Sequence, residues 1–199
     1  MSATNSTMLA LGTPAPHFAL PDVATGRTVA LADFADRDAL LVVFFCAHCP
    51  YVHHVSPELA RIATDYAGES VAIVGITAND LAQYPDDAPE PTARWARESG
   101  LTFPILFDES QVVAKAYTAA CTPDFFLFGP QRTLVYRGQI DDSRPMRGPD
   151  RPGRGELDGK DMRAAIDAVL AGDPVDERQV PSIGCNIKWK PGNEPAYFG

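Results

Sequence analysis

Two cysteines three residues apart stand in the stretch Cys46-Ala47-His48-Cys49-Pro50. Thiols at this spacing close a reversible disulfide or hold a metal ion. A cysteine at a helix start faces unpaired backbone N–H groups and the positive end of the helix dipole, and both favour thiolate over thiol. Pro50 suits the first helical position, where no N–H is needed. Cys49 is therefore the expected nucleophile, with His48 and His53 or His54 adding positive character. Cys46 either resolves an intermediate on Cys49 or is a small buried core residue. A metal-binding alternative rests on Cys46, Cys49, His53 and His54, a donor mixture suited to zinc or copper(I). Their spacing matches no familiar zinc pattern, so disulfide chemistry leads and no metal ligand is assigned.

Two further cysteines extend the picture. Cys121 opens Cys121-Thr122-Pro123-Asp124, directly before an apolar strand. The Thr122-Pro123 step is either a cis-proline turn at the strand entrance or an ordinary trans proline. Cys185 follows Gly184 in an apolar part of the tail, as a resolving thiol over the site or an inert one. Asp124, Asp141 and Asp142 read as solvated loop charges, with a proton relay as the alternative. Trp95 and Trp189 read as packing residues. Tyr84-Pro85-Asp86-Asp87 is a loop that could cover the site.

These residues need elements to position them. Leu40 to Phe45 is an unbroken apolar run, the signature of a buried strand, and it ends at Cys46. A helical pattern then runs from Pro50 to about Tyr66, with Gly68 as a stop. The stretches 17–20 and 27–31 read as a hairpin, and 71–76 as a second buried strand. Residues 77–91 read as a long loop, 92–99 as a helix and 104–107 as a short strand. A helix over 110–117 has Val112, Val113, Ala116 and Tyr117 as its apolar face. A hairpin pairs 125–128 with 133–137 around Gly129-Pro130-Gln131-Arg132. The segment 141–157 reads as a loop. A last helix spans 159–171, with Asp158 as N-cap and Gly172 past its end. Alternating strands and helices that end in a hairpin plus helix imply an α/β fold with a mixed, helix-flanked sheet. Residues 1–13 read as a frayed arm, 14–172 as the domain and 173–199 as an extension that packs back on it.

The chain has 199 residues, 45% of them hydrophobic, which suits one domain with a full core. Its net charge of −9, from 17 basic and 26 acidic residues, argues against nucleic acid and anionic membranes as partners. The start is polar, lacks a basic residue and has no signal-like apolar stretch, and no run approaches a membrane span. A cytoplasmic location is expected, where cysteines serve catalysis or metal binding more than structure.

The strand, the cysteine at the helix start and the later Thr-Pro before a hairpin together resemble the thioredoxin fold over residues 14–172. The opening Gly12-Thr13-Pro14-Ala15-Pro16-His17-Phe18-Ala19-Leu20 resembles that of the alkyl hydroperoxide reductase/thiol-specific antioxidant (redoxin) group. The stretches HCPYVHH, YPDD, ACTPDFF and CNIKW resemble a peroxiredoxin-like subgroup of thioredoxin-family proteins. The resemblance implies a thiol–disulfide oxidoreductase with Cys49 as nucleophile and Cys46, Cys185 or Cys121 resolving. Thr122, Pro123, Pro50 and His48 would shape the substrate groove. The implied partners are a protein or small disulfide or thiol, with a thioredoxin- or glutathione-type electron donor and no cofactor. Peroxide is the alternative substrate. Against the thioredoxin pattern, Val52 stands where the second cysteine would be. Against the peroxiredoxin pattern, Cys46 takes the threonine place, Val42 the proline place, and the later arginine has no counterpart near Pro123.

Overall fold

The computed structural model describes residues 3–146 and 153–198. Its centre is a five-stranded sheet built from β4 (Ala39–Phe44), β5 (Val71–Thr77), β6 (Ile105–Phe107), β8 (Asp124–Phe128) and β9 (Leu134–Tyr136). The spatial order is β6-β5-β4-β8-β9. β4, β5 and β6 run parallel, while β8 and β9 are antiparallel to their neighbours. The mixed sheet expected from the alternation of elements is thus present.

β4 is central and buried on both faces, which explains its unbroken apolar sequence. Alternate side chains serve two cores. Leu41, Val43 and Phe45 pack with Val52, Leu59 and Ile62 of α1 (Pro50–Asp65) and Met162 and Ile166 of α4 (Lys160–Ala171). Leu40, Val42 and Phe44 pack on the other face with Tyr117, Phe126 and Phe128. Each such side chain contributes about 1.5–3 kcal/mol on burial.

The helices differ from expectation at their ends. α2 (Pro89–Glu98) starts three residues earlier than 92, because Pro89 sits in a first turn that needs no N–H donors. A 3-10 turn at Pro85–Asp87 breaks up the expected long loop. α3 (Val112–Ala116) buries Val113 and Ala114, while Val112 is 63% exposed and Ala116 also faces solvent, so the expected apolar face is rotated. α4 is capped by Gly159 rather than Asp158, although Asp158 Oδ1 still accepts the Lys160 N–H. Gly172 ends α4 with φ of 74°, a left-handed conformation that glycine adopts without strain.

The expected N-terminal hairpin is β2 (Ala19–Pro21) with β3 (Thr28–Ala30). The frayed arm is instead ordered: β1 (Ala3–Asn5) pairs with β10 (Ile183–Asn186), which in turn pairs with β7 (Cys121–Thr122). A trio without large apolar side chains can form this edge strand because pairing uses backbone groups alone. In the tail beyond β10, Ile187 and Trp189 are buried. Part of the loop 141–157 lies outside the described residues. Among the described residues no helix is long and apolar enough to cross a membrane.

Candidate active site

β4 carries the chain to Phe45 and Cys46 at the end of the sheet, and α1 begins at Pro50. Cys49 is the capping residue of α1, with extended backbone (φ −80°, ψ 123°) and Pro50 in the first turn. Its sulfur therefore lies at the positive end of a sixteen-residue helix. The helix continues through Pro57, and the carbonyl of His53, which Pro57 cannot serve, accepts the Ser56 hydroxyl at 3.2 Å.

Three strands of the small sheet close over this cap. The Thr122–Pro123 peptide is cis, and β7 presents the Thr122 carbonyl oxygen 3.1 Å from Cys49 Sγ. The Thr122 hydroxyl lies 3.5 Å from Cys46 Sγ and 3.5 Å from the Cys185 carbonyl oxygen. β10 sets Cys185 opposite Thr122 in antiparallel register. Gly184 permits the approach: a Cβ there would lie 1.9 Å from the Thr122 oxygen.

Three sulfurs thus meet. The Cys49 thiol is pulled far below its ordinary range by hydrogen bonds from Cys185 and then Cys46, against the opposing effect of burial. The Thr122 hydroxyl and the Val52 amide, third in the helix, act in the same direction. The Thr122 carbonyl opposes ionisation, since only a thiol can donate to it, but the donors outnumber it. Cys46 moves the other way: its hydrogen bond to Cys49, its burial and the nearby Asp87 carboxylate hold it as a thiol. The pair is therefore asymmetric, one sulfur accepting and the other donating.

Cys121 is placed differently from expectation. It is buried in β7 beside β10, its sulfur directed at the backbone carbonyls of Pro123 (3.4 Å) and Ser182 (4.0 Å). Burial raises its thiol further. Among the described residues no disulfide is formed.

The metal quartet does not assemble. His54 Nε2 pairs with Ser143 Oγ at 2.9 Å, and His53 packs edge-on against Trp95. Cys46, His48 and Asp87 do come together, one ligand atom of each lying within 4.8 Å of the others. The Asp87 carboxylate there already accepts from His48 Nδ1 (2.6 Å), Asn79 Nδ2 (2.8 Å) and the Ala47 N–H (3.0 Å).

Sequence reasoning treated Asp87 only as part of a covering loop. The 3-10 turn brings it, fully buried, to His48, and Tyr84 stacks on the imidazole at 5.2 Å. The tail segment is tied to the same network. The Lys188 N–H donates to Asn79 Oδ1, and the Lys188 carbonyl accepts from Asp80 N–H and Gln111 Nε2. The short stretches CAHC, YPDD, CTPD and GCNIK are thus parts of one site. Their pairing was hidden in the sequence because contacts such as His48–Asp87 span 39 residues.

The solvated-charge reading fails for two of three aspartates. Asp124 is fully buried, and one of its oxygens accepts the Ala120 N–H. Burial pushes its carboxyl up to about 7. Asp141 is also buried and accepts the N–H groups of Ser143, Asp158 and Gly159. Asp142 is exposed and pairs with Lys160. Trp95 packs on Phe45, and Trp189 on Tyr197.

Comparison with known proteins bears on the family and the fold. The sequence profile of the AhpC/TSA family matches residues 11–137. A Mycobacterium tuberculosis protein, provisionally named a peroxiredoxin, is 32% identical over 116 residues, 58% of this chain and 68% of that one. The thiol-disulfide oxidoreductase ResA of Halalkalibacterium halodurans is 26% identical over 125 residues, 62% of this chain and 65% of its own. A crystal structure of an uncharacterized conserved protein from Geobacillus kaustophilus superposes with a TM-score of 0.90 at 51% identity, covering 96% of this chain and 98% of that one. The thioredoxin domain of a Bacteroides vulgatus thiol-disulfide oxidoreductase superposes at 0.58 with 21% identity, covering 78% and 97%. The fold is thioredoxin-like, and the chain belongs to the AhpC/TSA family.

Proposed function

We propose that this AhpC/TSA family member is a thiol–disulfide oxidoreductase with Cys49 as nucleophile. The observation that carries the reading is the meeting of Cys49, at the start of α1, with two further thiols, Cys46 and Cys185. The Cys49 thiolate attacks a substrate disulfide, forms a mixed disulfide and releases one substrate thiol. A second protein thiol then attacks Cys49, closes an internal disulfide and releases the other. Two electrons pass from the protein to the substrate, and an external dithiol or thiol donor of the thioredoxin or glutathione type restores the start.

Cys49 is 0% exposed and Cys46 1%, while Ala47, His48 and Pro50 between and beside them reach solvent. A small disulfide, or an extended segment that moves β10 aside, therefore approaches from the His48–Pro50 side. A reducing cytoplasm suits a cycle that begins with thiols. The test is disulfide exchange by Cys49→Ser against the parent chain. Complete loss is expected; exchange at the parental rate would sink the reading.

A second reading, peroxide reduction through a sulfenic acid on Cys49, is favoured by the family and by the relative's provisional name. The site itself supports it less. Among the described hydrogen bonds and ion pairs none joins an arginine to Cys49, and Arg137 and Arg144 are bound to Gln179 and Gln139. Stopped-flow consumption of hydrogen peroxide separates the readings, with a rate near that of free cysteine expected.

A further inference from the structure

The offset of the cysteine pair leaves a chemical problem. The second thiol in reach, Cys46, precedes the nucleophile and is held protonated, so it needs a base before it can attack. We propose that His48 is that base, that Asp87 positions it, and that Cys46 is the thiol that resolves the mixed disulfide on Cys49. The inference rests on the thiol–disulfide reading above.

The geometry carries it. Asp87 Oδ2 lies 2.6 Å from His48 Nδ1, and Asp87 is fully buried. A buried carboxylate here fixes the tautomer: Nδ1 carries the hydrogen and donates it, and Nε2 presents the lone pair. Nε2 is shielded from solvent and has no hydrogen-bond partner in the described structure. A buried nitrogen left open in this way is costly unless something else uses it. One nitrogen of the His48 ring lies within 4.8 Å of Cys46 Sγ, so the ring and the thiol are neighbours, and one water or rotation of the thiol side chain would carry the proton to Nε2. Two of the Asp87 contacts, from Asn79 Nδ2 and the Ala47 N–H, hold the carboxylate in place. Tyr84 holds the ring by stacking.

The step balances. Neutral His48 takes the proton of Cys46, and the Cys46 sulfur attacks Cys49 in the mixed disulfide. The Cys46–Cys49 bond forms, the bond from Cys49 to the substrate sulfur breaks, and the substrate leaves as thiolate. That thiolate takes the proton from His48, which returns to its neutral form.

The groups facing His48 set its pH response. Asp87 on the 3-10 turn raises its affinity for a proton, as does Cys49 at the helix start; burial and Lys188 on the tail lower it. Tyr84 faces it as a ring, and Cys46 as a thiol. The net shift is upward. Closure of the internal disulfide is therefore slow while His48 is protonated and speeds up as pH rises past its raised midpoint.

The experiment is single-turnover reaction of the full-length protein with a small aromatic disulfide. The first thiolate released reports attack by Cys49, and the second reports closure. In His48→Asn, closure is expected to slow about 100-fold more than attack does. In Asp87→Asn, the pH midpoint of closure moves to lower pH, since the proton on His48 loses its partner. In Cys46→Ser, the mixed disulfide persists, whereas Cys185→Ser still closes a bond between residues 46 and 49. The inference is overturned if His48→Asn slows both steps alike, if the Asp87→Asn midpoint stays in place, or if Cys46→Ser closes a Cys49–Cys185 bond at the parental rate. Intact attack by Cys49 together with unchanged closure removes the dyad only. Loss of neither step in Cys49→Ser removes the reading beneath it.

Discussion

Gly184 lies against Thr122 so closely that a single added carbon would sit 1.9 Å from the Thr122 carbonyl oxygen. That contact seats β10 over Cys49 and brings Cys185 to it. Real Cβ atoms do not approach backbone oxygens so closely, and neither strand offers a flexible atom there to yield.

Gly184→Ala should therefore lift β10 from β7. Overpacking of this kind costs about 1–3 kcal/mol, and each ~1.4 kcal/mol lost from the closed arrangement raises the open population about tenfold. Iodoacetamide labelling of Cys49, followed by peptide mass spectrometry, should quicken by about an order of magnitude. Labelling at the parental rate would show that β10 does not limit access.

Removal of residues 1–5 should act in the same direction but more weakly. β1 supports only the outer edge of β10, through the Ala3–Cys185 to Asn5–Ile183 register. Ser6 N–H still donates to the Ser182 carbonyl at 2.8 Å in the shortened chain. Faster Cys49 labelling and a lower melting temperature are expected, both smaller than for Gly184→Ala.

The Cys185 thiol is the foremost stabiliser of the Cys49 thiolate. A hydrogen bond to a charged group is worth about 1.5–3 kcal/mol, or about one to two pH units. Cys185→Ser keeps a donor of different reach, whereas Cys185→Ala removes it; the pH midpoint of Cys49 alkylation should rise by about that amount in the alanine variant. The stability effect has a definite sign. A thiol whose folded pKa lies below its unfolded value of about 8.5 stabilises the fold above that value and loses this contribution as pH falls. Cys185→Ala should thus lose most stability at neutral to alkaline pH and least in acid.

Asp124 has the opposite sign. Its carboxyl is raised to about 7 in the fold, against about 3.9 in the unfolded chain. Between these values the folded state holds more protons, so stability falls as pH rises, by about 4 kcal/mol at most across the full interval. Asp124→Asn cannot ionise and should show a smaller drop in melting temperature between pH 5 and pH 8. An equal drop in both proteins would place the burden on another group.

The central part of this architecture was legible because it follows local rules. Six consecutive apolar residues, too few for a typical helix and rich in Val and Phe, pointed to a strand buried on both faces, and Pro50 after Cys49 marked where the helix starts. Thr122-Pro123 before an apolar run left cis and trans both open, and the peptide is cis. What escaped was fixed by partners far along the chain. Ala3-Thr4-Asn5 has no apolar pattern and becomes a strand only because β10 offers it an edge. Asp87 and Asp124 look like any loop aspartate until the fold buries one against an imidazole and the other under Ala120. Val112 failed for a different reason: a single-turn helix is too short for periodicity to fix which side faces the core.

β10 is made after every other element that builds the site. During synthesis the β4–α1 unit can form with Cys49 uncovered, its thiol lacking both the Cys185 donor and the roof over Thr122. Until its own tail arrives the thiol is uncovered but not yet tuned, and the same strand supplies both the roof and the foremost hydrogen-bond donor.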